Sequence, residues 1–468
     1  MHDKARKILG AIDVLLIVMA LAIALGFGFA DPMPLITFVL FFAALASIII
    51  FWRYKIPIVI VAVGVLLALK ILTVETFIEY AHINVIAFLI GMMVVVAFLE
   101  DRGFFDALLG IMVSKFQKSA RLLFVAMLAL SALFAALLGE VSSTLFMCAI
   151  ALKLAKKYEL RPLPFVISVV FATNVGSAFT LLGNPVGVLI AFEGNLTFSD
   201  FLVWALPTGL IVLAATIALC LRLFRKDIAA LDEGMKKERA ASPADEGAYV
   251  QLLRHGGMRL PVAIFVGTIV GLVVYRPLED IMGIERNTLL LAIPLIAAAV
   301  SLIAGKSASA EVIEKRVEWP TLLFFIFFFG IAGALQYAGV TAAIAGKIQG
   351  LSGGNTALAI AVVIVIAGIS SAFMDNVLAV ATFAPIVQGL GANAFPLWWA
   401  LLFGACFMGN LTIIGSSANI IAIGLYEKGT GKSVSFYEWL KYGAVVATVQ
   451  LLIALALTVV LHVYAFPA

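Results

Sequence analysis

The chain has 468 residues, of which 64% are hydrophobic and 12% charged, with a formal net charge of +4. A soluble chain of this length cannot hide so much apolar surface, so the composition excludes a soluble enzyme and a nucleic-acid-binding module and points to a polytopic helical membrane protein. Cys148, Cys220 and Cys406 all fall in apolar segments, which suggests neither a disulfide framework nor a zinc site.

A membrane span needs about 20 apolar residues. Lys4, Arg6 and Lys7 precede an apolar run without a small-residue cleavage site, so residues 1–33 read as an N-terminal extra segment with a retained span 1 over 9–29. A first repeat covers 34–224. It holds span 2 (34–52), span 3 (55–72), span 4 (83–100), an amphipathic interfacial stretch from Gly103 to Phe116, a segment 121–156, span 5 (162–191) and span 6 (201–224). A polar stretch, 225–258, reads as a cytoplasmic linker. The second repeat, 259–463, gives the same order: span 7 (259–277), span 8 (288–304), span 9 (319–337), an interfacial stretch to about Gly350, a segment 355–391, span 10 (395–424) and span 11 (439–463).

Four clots of Gly, Asn, Ser and Thr interrupt this apolar sequence. They lie around Gly139-Glu140-Val141-Ser142-Ser143-Thr144, from Asn174 through Thr180-Leu181-Leu182-Gly183-Asn184-Pro185 to Gly187, around Asp375-Asn376-Val377, and from Gly409-Asn410-Leu411-Thr412 through Gly415-Ser416-Ser417 to Asn419. Such residues are poor helix-interior formers. In lipid, unwound backbone survives only where protein buries it or where it lines a cavity. The clots are therefore expected to break spans 5 and 10 and to form the tips of two re-entrant hairpins, about 121–156 and 355–391. Each half then crosses the membrane five times, and an odd number inverts the second half relative to the first. The resulting expectation is an all-α membrane protein of about eleven spans plus two re-entrant hairpins in two inverted-topology repeats. The Lys and Arg bias puts the N-terminus in the cytoplasm of a cell (inner) membrane protein and the C-terminus outside.

Inverted repeats with discontinuous helices bind solute and coupling ion near mid-membrane, where half-helix ends face them. On that basis Asn174, Asn184, Asn376, Asn410 and Asn419 supply amides, and Thr180, Thr412, Ser142, Ser143, Ser416 and Ser417 supply hydroxyls. Gly183 and Gly415 let backbone approach a bound species. Close helix packing is the competing explanation for the small residues. Glu140 and Asp375 stand apart, because a carboxylate at mid-membrane costs at least ~2.5–3.5 kcal/mol and usually marks an ion or proton path. The competing placement is a water-exposed turn tip for each. Both carboxylates are candidates for proton coupling, and a sodium ion near Glu140 or Asn376 is the alternative coupling species.

These motifs resemble the ion transporter superfamily over about residues 34–463. Asp375-Asn376-Val377 resembles the hairpin tip of its arsenite-permease and P-protein branch, close to the NhaD-type antiporters, and Thr180–Pro185 resembles that branch's first broken helix. The stretch Gly409 to Asn419 resembles the second broken helix. The related divalent-anion/sodium symporters carry Ser-Asn-Thr at both tips, where this chain has Gly139-Glu140-Val141 and Asp375-Asn376-Val377. That departure speaks against a di- or tricarboxylate solute, and the acidic Glu140 speaks for proton coupling or direct cation binding. The resemblance further implies a homodimer that works by an elevator motion.

The expected function is secondary active transport of a small inorganic anion or metalloid solute, of arsenite, silicate or oxyanion type, coupled to H+ or Na+ and without another cofactor. A sodium/proton antiporter is the close alternative. A carboxylate carrier and a channel rank below these, since no ring of equivalent pore residues is visible. No nucleotide loop, metal-ligand cluster or catalytic constellation points to an enzyme, and the partners expected are the small ionic solute, the lipid bilayer and a second copy of the chain.

Overall fold

The computed structural model describes residues 31–104, 107, 115–116, 119–241, 258–305, 309–391 and 394–465. Span 1, most of the Gly103 to Phe116 stretch and the 242–257 part of the linker lie outside the described residues. The helices in chain order are α1 Pro32–Ile50, α2 Lys55–Ala68, α3 Val74–Tyr80, α4 Ile83–Glu100, α5 Ala120–Leu138, α6 Glu140–Lys157, α7 Leu163–Gly176, α8 Pro185–Gly194, α9 Phe198–Leu223, α10 Arg225–Ala241, α11 Arg259–Met282, α12 Thr288–Gly305, α13 Ser309–Arg316, α14 Trp319–Tyr337, α15 Val340–Ser352, α16 Thr356–Phe373, α17 Asn376–Gly389, α18 Ala394–Met408, α19 Ser417–Thr430 and α20 Phe436–Ala465. Among the described residues nine helices are long and apolar enough to cross a membrane.

Spans 2 to 11 all have counterparts. The two interrupted segments are the helix pairs α5/α6 and α16/α17, and spans 5 and 10 are the broken pairs α7/α8 and α18/α19. Three helices went unread in the sequence: the short α3 and α13, and the polar α10. Span 3 is shorter than expected, because Lys70 at φ +58 stops α2 and Thr73 opens α3 with a capping box.

The described chain packs as two units, each drawing on both repeats. One comprises the described residues up to Ala87, Glu318–Ala359 and Ala381–Ala394; the other comprises Phe88–Val317, Ile360–Val380 and Phe395 onward. In the first, α14 lies against α1, α2 and α3. Gly330 and Gly333 on α14 leave room for the rings of Phe77 and Tyr80 on α3, which a Cβ would meet at 2.6 and 2.2 Å. Phe41 and Phe328 close the α1 side, with ring centroids 6.0 Å apart.

In the second unit the hairpins pack against the broken helices, with α6 lying on both α7 and α19. Contact is close enough to exclude side chains. A Cβ on Gly176 of α7 would lie 2.1 Å from the carbonyl oxygen of Ala132 on α5, and one on Gly404 of α18 would lie 2.6 Å from that of Ile364 on α16. Such crossings replace the missing hydrophobic drive between helices in lipid. Gly176→Ala is therefore expected to overpack the α5–α7 crossing, at about 1–3 kcal/mol or more, and to lower the unfolding temperature of the detergent-solubilised protein. Gly64→Ala on α2, where nothing lies within 4 Å, should leave that temperature unchanged.

The two repeats build their breaks alike. Gly183 and Gly415 occupy equivalent places where each unwound stretch folds back on itself. Their Cβ positions lie 2.1 Å from the Ser177 carbonyl oxygen and 2.5 Å from the Gly409 carbonyl oxygen. This revises the reason for these glycines: what they admit is the chain's own backbone, so a bulky substitution there disturbs the fold itself.

Candidate functional site

Each break has a local cause. Pro185 has no N–H to extend a preceding helix, and it stands at the first turn of α8, where Asn184 is the N-cap and accepts from Gly187 N at 2.8 Å. Ser416 caps α19 in the same way and accepts from Ala418 N at 3.1 Å. The backbone released between the half-helices is stitched by side chains, as burial in a membrane protein requires. Asn419 Nδ2 donates to the carbonyls of Gly409 and Thr412 at 2.8 and 2.7 Å.

The hairpin tips are fastened to these unwound stretches. Gly139, at φ +92, is the turn between α5 and α6, and Glu140 N donates to the Gly183 carbonyl at 2.8 Å. Thr180 Oγ1 donates to the Ala136 carbonyl near the end of α5, and Thr412 Oγ1 donates to the Ala372 carbonyl near the end of α16. The two threonines thus satisfy equivalent orphan carbonyls at the ends of the first hairpin arms.

The two tips meet. Asn376 Nδ2 donates to Glu140 Oε2 at 3.2 Å. Ser417 Oγ donates to Asp375 Oδ2, while Asp375 Oδ1 accepts from Val377 N at 3.0 Å. Glu140 and Asp375 are each 2% exposed, which rules out the water-exposed turn tip for both. Asp375 is the charged group that acts on Glu140, and Ser177 and Asn184 lie beside the same carboxylate. Asn184 Nδ2 also donates to Ser177 Oγ at 2.9 Å and to Cys406 Sγ at 3.2 Å. Among the described residues, no hydrogen bond or ion pair of these four segments involves a Lys or Arg. Two buried polar atoms here are left without a partner, Asn376 Oδ1 and Thr144 Oγ1, the latter one turn beyond Glu140 on α6.

The remaining candidates from the sequence are drawn into bracing. Asn174 Nδ2 donates to Asn410 Oδ1 at 2.7 Å and to Asn419 Oδ1 at 2.8 Å, and Asn174 Oδ1 accepts from Ser416 Oγ at 3.0 Å. Asn410 Nδ2 donates to Gln450 Oε1 at 2.9 Å and, at 3.4 Å, to the Phe171 carbonyl. Gln450 Nε2 donates onward to Thr216 Oγ1 at 2.9 Å, which ties in α20 and α9. With every amide hydrogen of Asn174, Asn410 and Asn419 committed to the protein, these three hold the two broken helices together. Ser143 Oγ likewise donates to the Ser131 carbonyl at 2.7 Å within the first hairpin. Ser142 is half-buried and stands in the first turn of α6.

The structure thus gathers Glu140, Asn184, Asp375, Asn376 and Ser417 at the tips. Sequence reasoning missed Ser177, Thr144 and Cys406 there, and missed Gln450 and Thr216 in the brace. A lone Gln inside the apolar span 11 was the available signal for Gln450. Ser177 sits inside a clot already recognised.

Comparison with known proteins agrees with this architecture. The family model described as citrate transporter (CitMHS) matches residues 46–404. An uncharacterized transporter of Mycobacterium tuberculosis is 32% identical over 389 residues, covering 79% of this chain and 84% of that one. The P protein of Homo sapiens is 26% identical over 460 residues, covering 82% of this chain and 54% of its own length. Among solved structures, the YdaH transporter of Alcanivorax borkumensis, described as having an unusual topology, shares the fold. Its TM-score is 0.55 at 14% identity, over 84% of this chain and 88% of that one. The chain is a multi-pass membrane transporter and belongs to the citrate transporter family within the ion transporter superfamily.

Proposed function

We propose that the protein is a secondary active transporter of a small inorganic anion or neutral metalloid hydroxide, coupled to protons or sodium. The observation that carries this reading is the meeting of the two hairpin tips, with Glu140 held by Asn376 and Asp375 held by Ser417. One carboxylate from each repeat enters a single buried cluster without a basic partner. Such a pair attracts protons or metal cations and repels a multiply charged anion. A neutral hydroxide, or an anion accompanied by its coupling cation, fits that field better than a free tricarboxylate does. Solute then contacts the tips and the capped N-termini of α8 and α19, whose dipoles favour electron-rich oxygen.

A second reading, a sodium/proton antiporter, is supported by the unpartnered Asn376 Oδ1 and Thr144 Oγ1. Together with the Glu140 carboxylate they offer the oxygen donors that a hard cation prefers. Counterflow in proteoliposomes separates the readings, with arsenite, silicate, phosphate, sulfate, citrate and sodium as a panel. Saturable exchange of arsenite, silicate or an oxyanion supports the first, and sodium exchange alone supports the second. Citrate as the preferred solute, or flux at channel rates without coupling, would overturn both.

The working cycle follows from the resemblance to elevator carriers, in a homodimer in which part of each protomer moves with the solute. Sidedness is checked by labelling. The native thiols Cys148, Cys220 and Cys406 are buried and give little background. With the N-terminus in the cytoplasm, Leu351→Cys, exposed in the last turn of α15, should label from outside, and Lys237→Cys on α10 only after permeabilisation. Reversed labelling would turn the orientation around.

A further inference from the structure

The amphipathic helix α10 folds back on the base of the first hairpin. Ile228, Leu231 and Met235 are buried at helical spacing, and α10 lies against α5. Gly234 sits close over the ring of Tyr158, which follows α6. Where α9 ends, α10 begins and α5 starts, these elements frame an open cleft of about 650 Å³. Three guanidinium groups line it, from Arg121 on α5, Arg222 on α9 and Arg225 on α10. None of the three makes an ion pair or side-chain hydrogen bond among the described residues. Ser119, the N-cap of α5, adds the positive end of a 19-residue helix. The carboxylate in the lining, Asp232, is engaged by Lys236 at 2.6 Å. Ala218, Leu221 and Ala229 make the rest of the wall apolar.

We propose that this cleft binds a phosphate-bearing anion, the headgroup of an anionic phospholipid. Three arginines from three separate helices can fork onto phosphate oxygens, and basic pockets between membrane helices are where such headgroups dock. The apolar wall favours a lipid over inorganic phosphate: an acyl chain or glycerol backbone covers Ala218, Leu221 and Ala229, whereas a free ion leaves them wet. The charge rule places the cleft in the cytoplasmic leaflet. Because α5 is the first arm of the hairpin that carries Glu140, a bound headgroup ties the base of that hairpin to α9 and α10.

The test is native mass spectrometry of the detergent-solubilised protein titrated with phosphatidylglycerol, phosphatidylcholine or inorganic phosphate. The wild type is expected to bind phosphatidylglycerol about a hundredfold more tightly than phosphatidylcholine at low salt, given roughly a fivefold gain per basic side chain. The triple variant Arg121→Gln, Arg222→Gln, Arg225→Gln should lose that preference at unchanged unfolding temperature, since the three side chains are exposed. Lys428→Gln with Lys432→Gln, which removes two exposed basic side chains beyond the cleft, should keep it. Equal binding of both lipids by the wild type, an undiminished preference in the triple variant, or an equal loss in the lysine control would each overturn the site. Displacement of phosphatidylglycerol by inorganic phosphate at matched concentration would overturn the lipid as its source.

Discussion

Glu140→Gln is expected to abolish accumulation driven by an imposed proton gradient while keeping exchange of solute between equal pools. The structure explains why the exchange should survive. Glu140 Oε2 accepts from Asn376 Nδ2 at 3.2 Å, and its backbone N–H, which fastens the tip to the Gly183 carbonyl, is untouched by the substitution. A glutamine keeps a carbonyl oxygen for Asn376 and reproduces the shape of the protonated carboxyl group, so the tip stays in place. What it loses is the ability to give up and retake a proton. Proton-driven uptake should fall to background while counterflow stays within about twofold of wild type, a factor under 0.5 kcal/mol. If sodium rather than the proton occupies this carboxylate, the variant instead loses sodium-dependent binding and responds little to pH. Undiminished proton-driven accumulation would remove Glu140 from the coupling path. Uptake against pH and against sodium, for both proteins, reads all three outcomes.

Asn174→Ala is expected to destabilise the protein more than any hydroxyl deletion in the clots. Removing the Asn174 amide leaves Asn410 Oδ1, Asn419 Oδ1 and the Ser416 hydroxyl hydrogen without partners at once, and Asn410, Ser416 and Asn419 are each 0% exposed. A buried polar group left without its partner costs about 1–3 kcal/mol. Three such groups make a loss of about 3 kcal/mol or more, a large part of a typical margin of stability. The expected result is a low yield of monodisperse protein and a large fall in unfolding temperature. Ser142→Ala, at a half-buried hydroxyl in the same clots, should change neither measurably. Wild-type stability for Asn174→Ala with loss of solute binding would move Asn174 from the brace to the binding surface.

The breaks were legible because they rest on local chemistry. A proline at the first turn of α8, capping Asn184 and Ser416, and runs of residues with poor helix propensity act within a few residues of where they stand. The charges and apolar runs likewise marked the ends of spans 4, 8 and 9 to within a residue, while span 3 was read past the end of α2. The helices α3, α10 and α13 escaped notice because the short length of α3 and α13, and the many charges of the 17-residue α10, set them apart from spans without distinguishing them from loops. Within the clots, residue type alone could not divide amides between solute and scaffold. Asn174 and Asn376 read alike in sequence, yet one commits every amide hydrogen to neighbours more than 230 positions away and the other keeps a buried oxygen unpartnered.

The sequence by itself determined that the chain lies in a membrane, that it is a repeat of spans broken at equivalent places, and that each repeat brings one carboxylate to a hairpin tip. Hydropathy, helix propensity and the insertion cost of a charge all act on the chain locally, so composition and spacing carry them. Only the tertiary structure decided that the two tips touch, that the glycines admit the chain's own backbone, and that Arg121 opens into one cleft with Arg222 and Arg225. Those outcomes depend on which helices pack side by side, and hydrogen bonds and close backbone contacts over a few ångströms exist only once the long-range packing has brought their atoms together.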